Sequence, residues 1–400
     1  MINETKERNL FKMKLFHISD LHIGKQLHYY NLKDLQTEIL CQIVEMAREH
    51  RPDVILIAGD IYDKSIPSGE AYEIFDQFLN RLADITPSIP VLIIAGNHDS
   101  AMRLKFASSF LEKNNIHISV LPPQNREEYL KKITLTDQYG AVNFYMLPFT
   151  KPGYIRNLFE EGEAKDYNSA VRAVIERENI DITERNVLIA HQFFVADTTE
   201  PKKCDSELAY ISVGGIDSVD IDCIRIFDYV ALGHIHGAQC IGENYIRYSG
   251  TPLKYSVSEE HHRKGITVVT LGEKNTPPEY AKLPLCASRD VRSMTGTLEQ
   301  VIAAATDENR SDYVSITLTD EEGLYRPKDQ LEEHYDNILE VKIENKRTQS
   351  RLENVEDMED ILYPIDAFRE FYQIMNNQPA SSVEEELMAE IISEIINIQE

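Results

Sequence analysis

Short apolar runs alternate with amphipathic stretches from Met13 to about residue 275. "KLFHIS", "DVILIAG" and "VLIIAG" are β-rich and nearly all apolar, as strands buried on both faces are. Between and after them, Leu32–Glu49, Ser68–Leu82 and Ala101–Lys113 repeat apolar residues at helical spacing. A second series follows: "VNFYML", a helix near Ser169–Glu178, "NVLIAHQ", "YVALGH", "YIRYSG" and "ITVVTLG". Strands alternating with helices predict a layered α/β core.

The stretch "EKNTPPEYAKLPLCASRD" holds three prolines and reads as a domain joint. Beyond it, strand, helix, strand, helix and strand ("RDVRSMT", "TLEQVIAAAT", "DYVSITLTD", Lys328–His334, "ILEVKIEN") predict a small α/β module. The rest reads as helical. Ser382 with Glu385 forms a candidate capping box, followed by a stripe of Val383, Leu387, Met388, Ile391, Ile392, Ile395 and Ile396. That stripe suits a helix packed on its own domain and a helix docking on a partner equally well. The expected boundaries are an extension at 1–12, a core at 13–275, the module at 276–345 and an acidic helical region at 346–400.

Composition narrows the class. The longest apolar runs are far shorter than a membrane span, and "MINETKERNLFKMKL" has no apolar core of leader length. The cysteines at 41, 204, 223, 240 and 286 form no CxxC pair. A reduced, cytoplasmic protein without a disulfide framework is expected. The net charge of −26 argues against nucleic-acid binding at first sight. Its location weakens that objection, because residues 351–400 carry −11 and residues 1–290 only −9.

The candidate chemistry sits in five strings, each ending a predicted strand. They are Asp20-Leu21-His22, Gly59-Asp60-Ile61-Tyr62-Asp63, Gly96-Asn97-His98-Asp99, His191-Gln192 and Gly233-His234-Ile235-His236. Open α/β sheets bind ligands beyond the carboxyl ends of their strands, so the five converge on one rim. Carboxylate, carboxamide and imidazole together make a mixed shell suited to manganese, iron or zinc. Two cations need a shared anionic ligand, which Asp60 can supply. Glycines 24, 59, 96 and 233 allow tight turns and close approach. Singly the strings differ in weight, Asp20-Leu21-His22 and the GDxxD string being weak and Gly96-Asn97-His98-Asp99 the most telling; together and in this order they point to a metal site.

The set resembles the signature of the calcineurin-like metallophosphoesterase superfamily, DxH…GDxxD…GNH[DE]…H…GHxH. Within it the chain is similar to the SbcD family of nuclease subunits, through "HISDLHIGK", "LIAGDIYDKSIPSGEA", "IAGNHDSAMRLKFASSFL", "FDYVALGHIH" and "YIRYSGTPLKYSVSEE". The likeness spans roughly residues 13–270 and continues more loosely to "FREFY". It implies two packed β-sheets flanked by helices, an α/β capping domain and a helical tail. It also implies two divalent metal ions, manganese foremost. Asp20, His22 and His236 would hold the first, Asn97, His191 and His234 the second, and Asp60 would bridge them. His98 would be the catalytic imidazole at the scissile phosphate. Asp99, counted with His98 among the catalytic residues, and Asp63 would orient the shell by hydrogen bonding.

The implied activity is two-metal hydrolysis of DNA, as double-strand exonuclease and single-strand or hairpin endonuclease, in repair and recombination. The implied partner is an SbcC-type coiled-coil ATPase in a heterotetramer, since the chain has no GxxxxGK[ST] loop of its own. A homodimer is implied as well. Phe368, Phe371, Tyr372 and Met375 would carry the ATPase contact. Lys25, Lys64, Arg103 and Lys105, with Arg263 and Lys264 after them, are candidate DNA contacts. The alternative is a stand-alone phosphatase or phosphodiesterase for small substrates.

Overall fold

The computed structural model describes residues 12–160, 164–196, 200–208, 218–345, 364–376 and 378–398. The 1–12 extension, apart from Lys12, and the 346–363 stretch of the tail fall outside these residues. The chain divides into two compact units.

The first unit comprises residues up to Arg292 with Ser311–Tyr313. One six-stranded sheet runs in the order Glu279–Pro284, Gly265–Leu271, Met13–Ile18, Val54–Ala58, Val91–Ile94, Ile116–Ser119. Its last four strands are parallel, and the two beyond Met13 pair antiparallel. A second six-stranded sheet runs Gln239–Ile241, Glu243–Tyr248, Tyr229–Gly233, Arg185–His191, Gly140–Leu147, Lys131–Asp137. Its four central strands are parallel.

The apolar runs read from the sequence account for the layering. Leu15, Leu56, Ala58, Leu92 and Ile94 of the first sheet share one buried cluster with Phe144, Met146, Val187, Ile189 and Ala231 of the second. The other face of the second sheet buries Leu188, Val230 and Ile246 against Val171, Val174 and Ile175 of the helix Tyr167–Arg177. Both sheets therefore aim parallel strands, and the loops after them, toward one rim.

Three elements differ from the expected ones. The helix expected over Ala101–Lys113 is broken into Ala101–Leu104 and Ser108–Leu111, because Ala107 takes a left-handed φ of 59°. The Lys131–Asp137 strand, with its alternating burial, belongs to a hairpin edge. The proline-rich stretch read as a joint contains the Glu279–Pro284 strand, registered against Gly265–Leu271, so the first unit continues past residue 275.

The second unit comprises Ser293–Arg310 and residues from Val314 onward. Strands Val291–Gly296, Tyr313–Leu318 and Asn337–Ile343 form its sheet in that order, beginning at the border of the units. Helix Leu298–Ala303 starts in a Thr297/Gln300 capping box. Its Val301 packs with Val314, Ile316, Leu331 and Tyr335, whose hydroxyl donates to the Val301 carbonyl at 2.7 Å. Helices Pro364–Asn376 and Ser382–Ile398 follow. The second is capped one residue earlier than the sequence suggests: Ser381 donates to Glu384 through both its backbone N–H and its hydroxyl.

Candidate metal centre

Each of the five strings continues from the carboxyl end of a strand or closes it: Met13–Ile18, Val54–Ala58, Val91–Ile94, Arg185–His191 and Tyr229–Gly233. The first two loops are laced together by backbone bonds. Asp20 N–H donates to the Gly59 carbonyl and His22 N–H to the Asp60 carbonyl, both at 3.0 Å. That lacing holds Asp20, His22 and Asp60 in left-handed backbone at φ 54°, 44° and 50°. None is glycine, so strain is concentrated at the rim. Glycine is required where backbones must touch. A Cβ at Gly96 would lie 2.1 Å from Asp60 Oδ1, and one at Gly233 1.9 Å from the Ala58 carbonyl oxygen.

The side chains converge. His22 Nε2 lies 3.2 Å from His236 Nε2 and 3.6 Å from Asp60 Oδ2. His191 Nε2 lies 3.4 Å from the same Asp60 Oδ2 and 3.0 Å from Asn97 Oδ1. His234 Nδ1 meets that carboxamide oxygen at 3.0 Å too. Ligand atoms of Asp20, His22 and His236 fall within 4.8 Å of one another, and so do those of Asp20, Asp60 and His191. Every one of these carboxylates and imidazoles is buried.

The donor set fits divalent cations. Burial pushes His22 and His234 down to about 3, so both are neutral imidazoles with a lone pair to offer. His22 Nδ1 is buried with no hydrogen-bond partner, 3.6 Å from Asp63 Oδ1. For His191 burial acts downward, yet Asp60 and then Asp20 outweigh it and lift the group to about 9. For Asp60, burial opposes the charge and the surrounding imidazoles hold it well below the carboxylate range. Such unsettled buried charge is what a bound cation would balance.

The remaining expected residues take distinct places. His98 donates its backbone N–H to Asp60 Oδ1 at 2.9 Å, and its Nδ1 meets the Asp63 carbonyl at 2.6 Å. Its Nε2 lies 3.9 Å from Asp60 Oδ2. Asp99 is a brace. Its carboxylate accepts N–H bonds from Gly96, Ile61 and Tyr62 at 2.9–3.1 Å, tying the GNHD loop to the GDxxD loop. Burial and the nearby Asp60 push it up to about 6.

Lys25 is drawn inward onto Asp63 at 3.0 Å, whereas Lys64, Arg103 and Lys105 are exposed. Lys264 is buried and paired with Glu259, whereas Arg263 is exposed. In the C-terminal helices Phe368 and Tyr372 stack at 5.6 Å, and Tyr372 bonds Glu384 at 2.6 Å. Phe371 and Met375 are exposed.

A layer behind His236 was not apparent from the sequence. His236 Nδ1 meets Ser206 Oγ at 2.7 Å, Ser206 bonds Glu259 Oε1 at 2.7 Å, and Glu259 pairs with Lys264 Nζ at 2.5 Å. Glu207 accepts the His236 backbone N–H at 2.8 Å. Ser206, Glu207 and Glu259 sit on single turns of helix, Asp205–Leu208 and Val257–Glu259, too short to carry a spacing signature.

The chain is similar to known proteins at the level of family. Residues 13–238 match the calcineurin-like phosphoesterase family, over half the chain, and the protein belongs to that family. Residues 287–376 match the domain described as the type 5 capsule protein repressor C-terminal domain. The SbcD subunit of nuclease SbcCD from Staphylococcus epidermidis is 31% identical over 392 residues, covering 96% of this chain and 99% of that protein. The chain is a hydrolytic enzyme of that nuclease-subunit family. Solved structures are remote. A dimetal phosphatase from Danio rerio is 14% identical, covering 70% of this chain and all of that one, with a TM-score of 0.39. The phosphopantetheinyl hydrolase of Mycobacterium tuberculosis is 16% identical, covering 60% of this chain and 88% of that one, with a TM-score of 0.32. No helix among the described residues is long and apolar enough to cross a membrane.

Proposed function

We propose that the chain is a DNA nuclease that works with two divalent cations, manganese foremost. Asp20, His22 and His236 would hold one, Asn97, His191 and His234 the other, and Asp60 both. The observation that carries this reading is the position of Asp60 Oδ2, 3.6 Å from His22 Nε2 and 3.4 Å from His191 Nε2, where one carboxylate serves both groups. When bound, such a pair neutralises the phosphate's charge and activates water for in-line attack.

The chain's own residues supply the rest. The Asp63 carbonyl can only accept, so it keeps a proton on His98 Nδ1 and leaves Nε2 on the side of the centre. His98 Nε2 is then the atom that delivers a proton to the departing sugar oxygen. Ala58 fixes His191 through its Nδ1 at 2.8 Å, and Ser206 fixes His236 likewise, each leaving Nε2 for the centre. Asp99 keeps the two loops in register.

The nuclease subunit it resembles carries SbcCD in its name. We extend that to a partner here, an SbcC-type ATPase docking on the exposed Phe371 and Met375, in the cytoplasm. The test is manganese-dependent degradation of linear and hairpin-ended duplex DNA, with and without ATPase and ATP, beside a nitrophenyl phosphodiester. DNA cleavage supports the nuclease. Turnover of the small ester alone would favour a small-substrate phosphodiesterase.

A further inference from the structure

A cleft of about 560 Å³ opens beside His236, and its charge is the reverse of what the composition supplies. The chain has 67 Asp and Glu against 41 Lys and Arg. Yet Lys202, Lys203, Arg263, Lys264 and Lys282 line this cleft, and among the described residues no Asp or Glu does.

The five cations are engaged to different degrees. Lys264 is neutralised by the buried Glu259. Lys203 reaches Glu200 at 2.8 Å and lies 4.5 Å from the Phe193 ring centroid. Lys282 donates to the Arg263 carbonyl, and burial together with the like charge of Lys264 holds it below an ordinary lysine. The Lys202 and Arg263 side chains make no hydrogen bond or ion pair among the described residues, and both are exposed. His262 lines the same wall, with a buried Nδ1 that has no hydrogen-bond partner.

The wall is also built firmly. Gln239 clamps the Lys202 backbone, accepting its N–H and donating to its carbonyl, both at 2.9 Å. Several unneutralised cations exceed what one phosphate needs, and a row of successive phosphates matches them. Because His236 lines the cleft, a strand lying there runs up to the metal centre.

We propose that this cleft binds the phosphodiester backbone of DNA next to the scissile bond, with Lys202, Arg263 and Lys282 as its phosphate contacts. This rests on the nuclease reading and adds the path of the strand to it. All three cations lie outside every motif of the metal site.

The experiment measures binding of the full chain to a labelled duplex in EDTA, by fluorescence anisotropy across a salt series starting at low ionic strength. The variant is Lys202→Gln/Arg263→Gln/Lys282→Gln. A control of equal charge change, Lys113→Gln/Arg126→Gln/Lys132→Gln, alters exposed cations elsewhere. The cleft variant should lower the slope of log affinity against log salt by about 2–3, since each phosphate contact contributes about 0.9. Affinity at moderate salt should fall by about 10–100-fold, with manganese-dependent hydrolysis of the small phosphodiester unchanged within about twofold.

The double variant Lys202→Gln/Arg263→Gln leaves the half-buried Lys282 in place and should show about two-thirds of the slope change. An unchanged slope, or an equal change in the control, overturns the proposal. So does loss of inorganic-phosphate binding with DNA binding intact, which would make the cleft a site for single anions. A parent protein that binds DNA through the cleft but cleaves only the small ester would defeat the nuclease reading and leave the cleft standing.

Discussion

The rim of the core and the C-terminal helices break opposite rules of burial. At the rim, groups that belong in water are enclosed: Asp20 and His191 are fully buried and Asp60 is 2% exposed. In the helices, groups that belong in a core face solvent: Phe371 is 60% exposed, Leu387 58% and Val383 72%. Burying a charge costs several kcal/mol unless it is balanced, and an exposed apolar row forgoes roughly 1.5–3 kcal/mol per side chain. Both costs make sense when the missing component is a ligand, a cation at the rim and a protein surface at the helices. Their physics differs. The rim is preorganised by bracing bonds from several strands, whereas the helices present a stripe with one internal seam, Phe368 on Tyr372 and Arg369 on Glu385 at 2.9 Å.

The largest effect expected at the rim comes from Asp60→Asn. It removes the carboxylate shared by both groups and should take manganese-dependent phosphodiester hydrolysis to background. Retained activity would mean that the two groups work separately. In the helices, Phe371→Ser/Met375→Ser should weaken association with the coiled-coil ATPase by about 30-fold or more per anchor, at about 2 kcal/mol each. The rim activity toward a small ester should be untouched, as titration calorimetry and the ester assay would show together.

A smaller effect sharpens the idea that the rim is braced. Ser206→Ala removes the bond to His236 Nδ1 and should cost about 10–100-fold in manganese affinity at one of two sites. Equal affinity at both sites would make Ser206 mere filling.

The smallest test concerns a buried histidine outside the site. His17, held between Tyr229 Oη at 2.8 Å and the Leu232 carbonyl at 3.1 Å, is pushed down to about 3 by burial. Its unfolded form takes a proton below about pH 6.5 and its folded form only near 3. Stability from this group is therefore lost as pH falls through that window. Between pH 7 and 5 the parent should lose about 2 kcal/mol that His17→Gln does not, read by urea denaturation.

Much of this was legible in the chain, for physical reasons. Polar residues that end an apolar strand, as in "LIAGDIYD" and "IAGNHD", have no structural excuse, so the five strings declared the rim. The small α/β module was readable from its alternating periods. What stayed hidden lacked a local signal. Ala107, Asp20, His22 and Asp60 take left-handed backbone without being glycine, so neither the broken helix nor the strained loops could be read. Ser206 and Glu259 reach His236 from single turns of helix too short to show a period, and Lys202 and Lys282 meet only in the folded cleft. The Glu279–Pro284 strand was masked by Pro277 and Pro278 before it and by Pro284 at its end, which an edge strand tolerates.

The central claim is that the rim binds two cations without help from His98. Manganese titration of the His98→Ala protein, with ester and DNA hydrolysis measured on the same sample, tests it most directly. The account predicts two manganese ions per chain, as in the parent, with hydrolysis of DNA reduced about 10²–10⁴-fold. Binding of a single ion, or loss of metal in step with activity, would make His98 a ligand and contradict the account.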